Sequence, residues 1–154
     1  MAETTGFKRV EIGDATLYHG NCLDILPSLE AASHVIKDPP YEDHMHNTKK
    51  GARGIRKDGG KELQGLDFAS INDIRDDIAK LCVSLCDGWL IAFATPEGVA
   101  PWRDALEAAG ARYKRACVWV KPDAAPQFNG QGPAMGAEMI VTAWCGSGVS
   151  RWNG

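Results

Sequence analysis

An aspartate, two prolines and a tyrosine stand together as Asp38-Pro39-Pro40-Tyr41, separated by Lys37 alone from the short apolar run Ser33 to Ile36. Paired prolines fix φ and carry no N–H, so they form a stiff turn whose carbonyls are free to accept hydrogen bonds. Asp38 adds a carboxylate acceptor and Tyr41 a flat ring. Such a set suits a planar ring bearing an exocyclic NH₂, with two acceptors for its hydrogens and a surface for its face. An amine of that kind is a poor nucleophile because its lone pair is delocalised into the ring. Acceptors on its hydrogens favour localising the pair toward an electrophilic methyl group, and holding the two in line contributes by positioning. The plainer reading of the same four residues is a surface turn. The strand before them tips the balance, because open α/β sheets bind ligands beyond the carboxyl ends of their strands.

The next candidate lies downstream. Residues 42–64 are polar and glycine-rich, and they hold Lys49, Lys50, Arg53, Arg56, Lys57 and Lys61 with Gly51, Gly54, Gly59 and Gly60 between them. A loop this long is functional or disordered, and its charges suit phosphates, a sequence-independent and salt-sensitive contact. Lys121 is a further candidate cation at a strand end. Metal chemistry has weaker support. Cys82 and Cys86 sit four apart on a predicted helix and His44 and His46 flank Met45, but no further ligands stand at metal spacing. Buried small hydrophobes and solvated loop histidines account for them, and no metal site is expected.

These residues need a frame, and alternating elements supply it. Strands are predicted at Ala15 to His19, Ser33 to Asp38, Trp89 to Thr95, Tyr113 to Lys121 and Ala137 to Cys145. A short helix is predicted from Cys22 to Glu30. A longer one runs from Ser70 to Cys86, where Ile71, Ile74, Ile78, Leu81, Cys82 and Leu85 recur at three- and four-residue steps. Ser70 is its expected N-cap, and Gly88 follows its end. A third helix is expected to start at Thr95-Pro96-Glu97, with Thr95 capping and Pro96 in the first turn, and to stop near Gly110. Strands alternating with helices indicate an α/β domain with a largely parallel sheet. The last two strands are joined by the loop "PDAAPQFNGQGPAMG" alone, so they are expected to form an antiparallel edge pair. Trp144 and Trp152 read as packing residues.

The chain of 154 residues fits one domain able to bury a sizeable core. Its 44% hydrophobic and 24% charged content is ordinary for a globular protein. A net charge of -3 argues against wholesale coating of nucleic acid, though it leaves room for a local basic patch. No apolar run reaches the ~18 residues that a bilayer span needs. The N-terminus lacks the basic start and apolar middle of a signal peptide, so a cytoplasmic protein is expected. Five cysteines without CxxC spacing argue against a disulfide scaffold in that compartment.

The stretch "LYHGNCLDILPSLEAASHVIKDPPY", continued by "WLIAFATPEGVAPWRDALEAAGARYKRACVWVKPDAAPQFNGQGPAMGAEMIVTAWCG", resembles the DNA amino-methyltransferases, which modify adenine N6 or cytosine N4 with S-adenosylmethionine (SAM). The branch resembled is the one whose catalytic motif precedes the cofactor motif, and small phage and prophage DNA methylases are most similar. The resemblance runs from about Ala15 to the end of the chain. It implies a partial Rossmann-like methyltransferase sheet, double-stranded DNA as partner, and a base flipped out of the duplex. It also implies roles: Asp38 and the Pro39 carbonyl hold the amino group within the Asp38-Pro39-Pro40-Tyr41 motif, and Tyr41 stacks on the base. Asp in first place favours adenine N6 over cytosine N4, and over the related Asn-led sites that methylate protein glutamine or RNA guanine.

Two departures accompany it. Many relatives carry Gly-Asp where this chain has Gly20-Asn21, which weakens Asn21 as a cofactor contact. The family's cofactor glycine loop is expected later than these 154 residues reach. Phe128-Asn129-Gly130-Gln131-Gly132 matches its letters, but follows a loop rather than a strand. Phe128 and Asn129 are instead candidate contacts to the base or DNA. The chain therefore reads as one incomplete catalytic domain, residues 1–154, lacking the C-terminal cofactor-binding strands. Self-association or a missing C-terminal half is expected to complete it. The alternative is a non-catalytic remnant of the fold that binds DNA or a partner.

Overall fold

The computed structural model describes residues 6–42, 71–122, 133 and 135–152. Within them are six strands and three α-helices: β1 (Lys8–Ile12), β2 (Ala15–His19), α1 (Cys22–Ile25), β3 (Val35–Lys37), α2 (Arg75–Leu85), β4 (Trp89–Ala94), α3 (Val99–Ala108), β5 (Arg112–Val120) and β6 (Ala137–Trp144). The basic segment from Lys49 to Lys61, His44 and His46, Ser70, and the Phe128-Asn129 stretch all lie outside the described residues.

β3, β4, β6 and β5 form one sheet in that spatial order. β3 lies parallel to β4, whereas β6 is antiparallel to both of its neighbours. The expected antiparallel pair at one edge is present. The largely parallel sheet is corrected in its pairings: β3–β4 is the one parallel pair among the described strands, although β5 runs in the same direction as both and β6 alone is reversed. The reason is topological, since β6 inserts between β4 and β5 and is antiparallel to each. β1 and β2 make a separate antiparallel hairpin, and β1 escaped the sequence reading.

One face of the sheet is covered. Leu90, Ala92, Ala94, Val141 and Ala143 are buried against Ile78, Ala79 and Cys82 of α2 and Trp102, Ala105 and Leu106 of α3. Removing each large side chain of this kind from water contributes about 1.5–3 kcal/mol. Small alanines on β4 let the helices approach closely, and Trp102 fills the space at 1% exposure. The pairing of Ile36 with Ile91 and of Phe93 with Ile140 sets the other face, which also carries Trp119. There Ile36 is 70% and Trp119 50% exposed.

The helix limits differ from the periodicity. α2 begins at Arg75, after a 3-10 turn over Ile71–Asp73, and its C-cap is Cys86, two residues before Gly88. α3 begins at Val99. Thr95 still caps, but one turn earlier, because its Oγ1 accepts the Gly98 N–H at 3.0 Å before the α-helix starts. Gly110 closes α3 with φ +98°. The Ala111 N–H reaches the Leu106 carbonyl at 2.9 Å and the Gly110 N–H reaches that of Glu107 at 3.0 Å, a pair of bonds that needs the left-handed residue glycine tolerates. The tryptophans Trp144 and Trp152 do pack, each edge-on to Trp89 with centroids 5.2 and 4.8 Å away. No described helix is long and apolar enough to cross a membrane.

Candidate functional site

Asp38 follows the last residue of β3, and Thr95 follows the last residue of β4. Because the two strands are parallel, both residues fall at one carboxyl end, where an α/β sheet opens toward ligands. Strand alternation turns Lys37 toward the helices and Asp38 toward the opposite side. Asp38 is exposed, Pro39 and Tyr41 are half-buried, and Glu42 is buried.

Glu42 anchors this turn. Its Oε2 accepts the Thr95 hydroxyl at 2.8 Å, and its Oε1 accepts from Arg75 Nη2 at 3.3 Å. Arg75 also donates to Asn72 Oδ1 at 2.9 Å. The turn after β3 is thereby tied to the turn after β4 and to the start of α2. Gly98 makes room for it, since a Cβ there would lie 2.4 Å from Glu42 Oε1.

The Tyr41 hydroxyl is pushed up to about 12, by burial first and then by the neighbouring carboxylates of Glu138, Asp38 and Glu42. Tyr41 is therefore neutral throughout the neutral range. Glu138 in turn pairs with Lys121, which sits just past β5 with its Nζ 5.2 Å from the Trp119 ring centroid. Trp119 meets Phe93 edge-on, centroids 5.8 Å apart.

Below the turn, Lys37 is unusual. Its ammonium is enclosed without a hydrogen-bond partner among the described residues and stands 3.2 Å from the Trp102 ring centroid. Burial draws it down to about 7, and Arg75 adds in the same direction, against the opposing pull of Cys82 and Cys22. The ring favours the cation, but loss of water outweighs it.

Of the residues singled out from sequence, Asp38, Pro39, Pro40 and Tyr41 form the described part of the candidate site, and Lys121 is paired with Glu138. Asn21 is the N-cap of α1, its Oδ1 accepting the Leu23 N–H at 3.1 Å. Cys82 and Cys86 are both buried, and Cys86 Sγ hydrogen-bonds the Trp89 carbonyl. Among the described residues no group of three or more His, Cys, Asp and Glu could hold a metal. Glu42, Arg75, Lys37 and Glu138 were missed. An acid directly after Tyr41 was the only local signal for any of them.

No protein-family model and no curated protein matches this sequence. Solved structures do match. The complex of M1.HpyAVI with SAM aligns with a TM-score of 0.57 at 18% identity, covering 88% of this chain and 56% of that one. A second structure of M1.HpyAVI gives 0.56 at 15%, over 88% and 61%. TTHA0409 from Thermus thermophilus, assigned as a DNA modification methylase, gives 0.53 at 17%, over 88% and 54%. The chain shares the α/β fold of these proteins and spans little more than half their length.

Proposed function

We propose that this chain carries the target-base side of a SAM-dependent DNA amino-methyltransferase acting on adenine N6. The observation that carries the reading is the position of Asp38-Pro39-Pro40-Tyr41 at the shared carboxyl end of β3 and β4, in a fold shared with a SAM complex and an assigned DNA modification methylase. In this reading the Asp38 carboxylate and the Pro39 carbonyl accept the two amino hydrogens, and the Tyr41 ring stacks on the base. Both acceptors raise the share of the nitrogen lone pair available outside the ring plane. The base reaches them only when flipped from its helix. Fixed acceptors need no rearrangement as charge develops on the nitrogen, which is where such sites gain most.

SAM, when bound, supplies the methyl group. In this reading its pocket is completed by a further segment or a second copy. Support for assembly comes from the hairpin, where Val10, Ile12 and Leu17 are 54%, 62% and 54% exposed, and from Ile36 at the outer strand of the sheet. Duplex DNA is the proposed partner, gripped at its phosphates by Lys49, Lys50, Arg53, Arg56, Lys57 and Lys61, with Phe128 and Asn129 near the base.

Calorimetric titration of SAM into the protein, with its mass in solution measured alongside, tests the reading. Binding followed by methyl transfer to adenine in duplex DNA supports it. Transfer to cytosine N4 moves the assignment within the same chemistry. DNA binding without any cofactor binding, alone or with an added C-terminal half, replaces the enzyme by a non-catalytic binding protein.

A further inference from the structure

Lys37 and Glu42 flank the tetrapeptide Asp38-Pro39-Pro40-Tyr41, and both lead to the same two side chains. The Lys37 Nζ stands 3.2 Å from the centroid of the Trp102 ring, and the Arg75 Cζ stands 5.7 Å from that centroid. The ammonium has no hydrogen-bond partner among the described residues and faces the ring instead. Arg75 holds Glu42, Nη2 to Oε1 at 3.3 Å, with the two side chains 12% and 10% exposed. Trp102 is buried on α3, whereas Arg75 opens α2. Both feet of the tetrapeptide are thus drawn into the helix layer, while Asp38 and Pro40 between them are exposed. A span of four residues whose two ends are drawn inward arches outward, and the arch presents its acceptors and its ring on the ligand side.

We infer that Arg75 and Trp102 are positioning residues for Asp38-Pro39-Pro40-Tyr41, a clamp that fixes both feet of the arch and so the spacing of its acceptors from its ring. This rests on the reading of the tetrapeptide as the base site and adds what holds it in shape. The prolines stiffen the middle of the arch, but each fixes only its own φ. Asp38 and Tyr41 keep their backbone freedom unless the feet are held. An arch free to move loses that freedom when the base arrives, and a clamped one has lost it beforehand. The guanidinium is suited to this task because it is planar and forked. It donates to Asn72 Oδ1 at 2.9 Å as well as to Glu42, so its direction is set from α2 and its neighbouring turn. Thr95 ties the same carboxylate to the end of β4 at 2.8 Å. The cation at position 75 therefore acts on the base through the arch.

Two readouts taken on each variant separate positioning from simple stabilisation: the urea midpoint, and binding of 2-aminopurine deoxyriboside, a fluorescent planar base quenched by stacking. The wild type is expected to bind. The double variant Glu42→Leu with Arg75→Met replaces the buried ion pair by apolar groups, an exchange that leaves stability level or raises it. It is expected to match or exceed the wild-type midpoint and yet to bind about three- to tenfold more weakly, because the arch is then ordered on binding. Arg75→Lys, which keeps the charge without the fork, should fall between. Leu90→Val trims a core residue at the opposite end of β4, and is expected to lower the midpoint with binding unchanged. A double variant that binds as tightly as wild type overturns the inference while leaving the stacking role of Tyr41 intact. So does Leu90→Val weakening binding as much as the double variant. Tyr41→Ala binding as tightly as wild type, or a wild type that does not bind, overturns both. A circular dichroism spectrum unchanged from wild type confirms that each variant is folded, and Arg75→Lys decides by the same criterion where the double variant is not.

Discussion

The Glu42 carboxylate and the Thr95 hydroxyl meet at 2.8 Å, joining the segment after β3 to the segment after β4 across 53 residues of sequence. The bond is buried, and Arg75 completes it from α2. A carboxylate so placed is structural for the turn that carries Tyr41 and is costly to remove from one side only.

Glu42→Ala leaves the Arg75 guanidinium buried without its counter-charge, and Arg75 Nε already lacks a partner among the described residues. The expected loss is about 3 kcal/mol of unfolding free energy, read as a lowered urea midpoint. Gly98→Ala places a methyl against the same carboxylate and is expected to cost about 1–3 kcal/mol. Because both changes act on one contact, the double variant should be less unstable than the sum of the two. Simple additivity would show that Gly98 and Glu42 do not constrain one another.

Lys37 predicts a pH dependence whose sign follows from its depressed value. Between about 7 and the ordinary lysine value of 10.5 the unfolded chain holds one more proton than the folded one. Stability therefore rises with pH across that window, by at most about 1.4 kcal/mol per unit. Cys82 and Cys145, both raised above the ordinary thiol value of 9.0 chiefly by burial, act in the opposite direction above that pH. The rise is thus expected from pH 7 to about 9 and to be cut off there. Lys37→Met should abolish it and make the protein more stable at pH 7. Urea unfolding across that range checks this, and a variant with the wild-type slope would assign the slope to another group.

Asp38 is exposed at the end of its strand, so its role is separable from the fold. Asp38→Ala is expected to change stability by less than about 0.5 kcal/mol. Methyl transfer by the active assembly should nevertheless be lost. The pair of measurements is a denaturation curve and transfer of labelled methyl groups to DNA. Undiminished transfer would remove the Asp38 pocket from the mechanism.

The basic segment should act through phosphates alone. Changing Lys49, Lys50 and Arg53 together to Gln is expected to weaken binding to every duplex alike. The dependence of log K on log salt should flatten by about 0.9 for each phosphate no longer neutralised. A change confined to particular sequences would instead place these residues at base edges.

Much of this was legible in sequence where the determinant is local. The apolar run ending in Asp38-Pro39-Pro40-Tyr41 announced a strand and a rigid turn, and Gly110 marked the end of α3. Periodicity found α2 but overran its start, because Ile71 and Ile74 are packed from a 3-10 turn that uses nearly the same spacing. β1 was hidden because Lys8 to Ile12 is a hairpin arm exposed throughout, with no buried face to impose a pattern on more than Val10 and Ile12. The sheet order was hidden for another reason: which strands become neighbours depends on register and connection, not on any window of residues. Glu42 and Glu138 fall in the same category. Each is an ordinary acid in sequence; Glu42 meets Thr95 53 positions away, and Glu138 pairs with Lys121 17 positions away.

The insertion of β6 between β4 and β5 also sets the order in which the sheet can be built as the chain leaves the ribosome. β4 and β5 emerge first and are not partners, so each must wait for residues Ala137–Trp144. At about 5–20 residues per second, the 50 positions from Ala94 to Trp144 take several seconds. During that interval β4 is paired on one side only and β5 on neither. The nascent chain thus presents the apolar strand Trp89–Ala94 with an open edge for far longer than a hairpin needs to close. Protection by a chaperone is most valuable in that interval, and β6 is the strand that ends it.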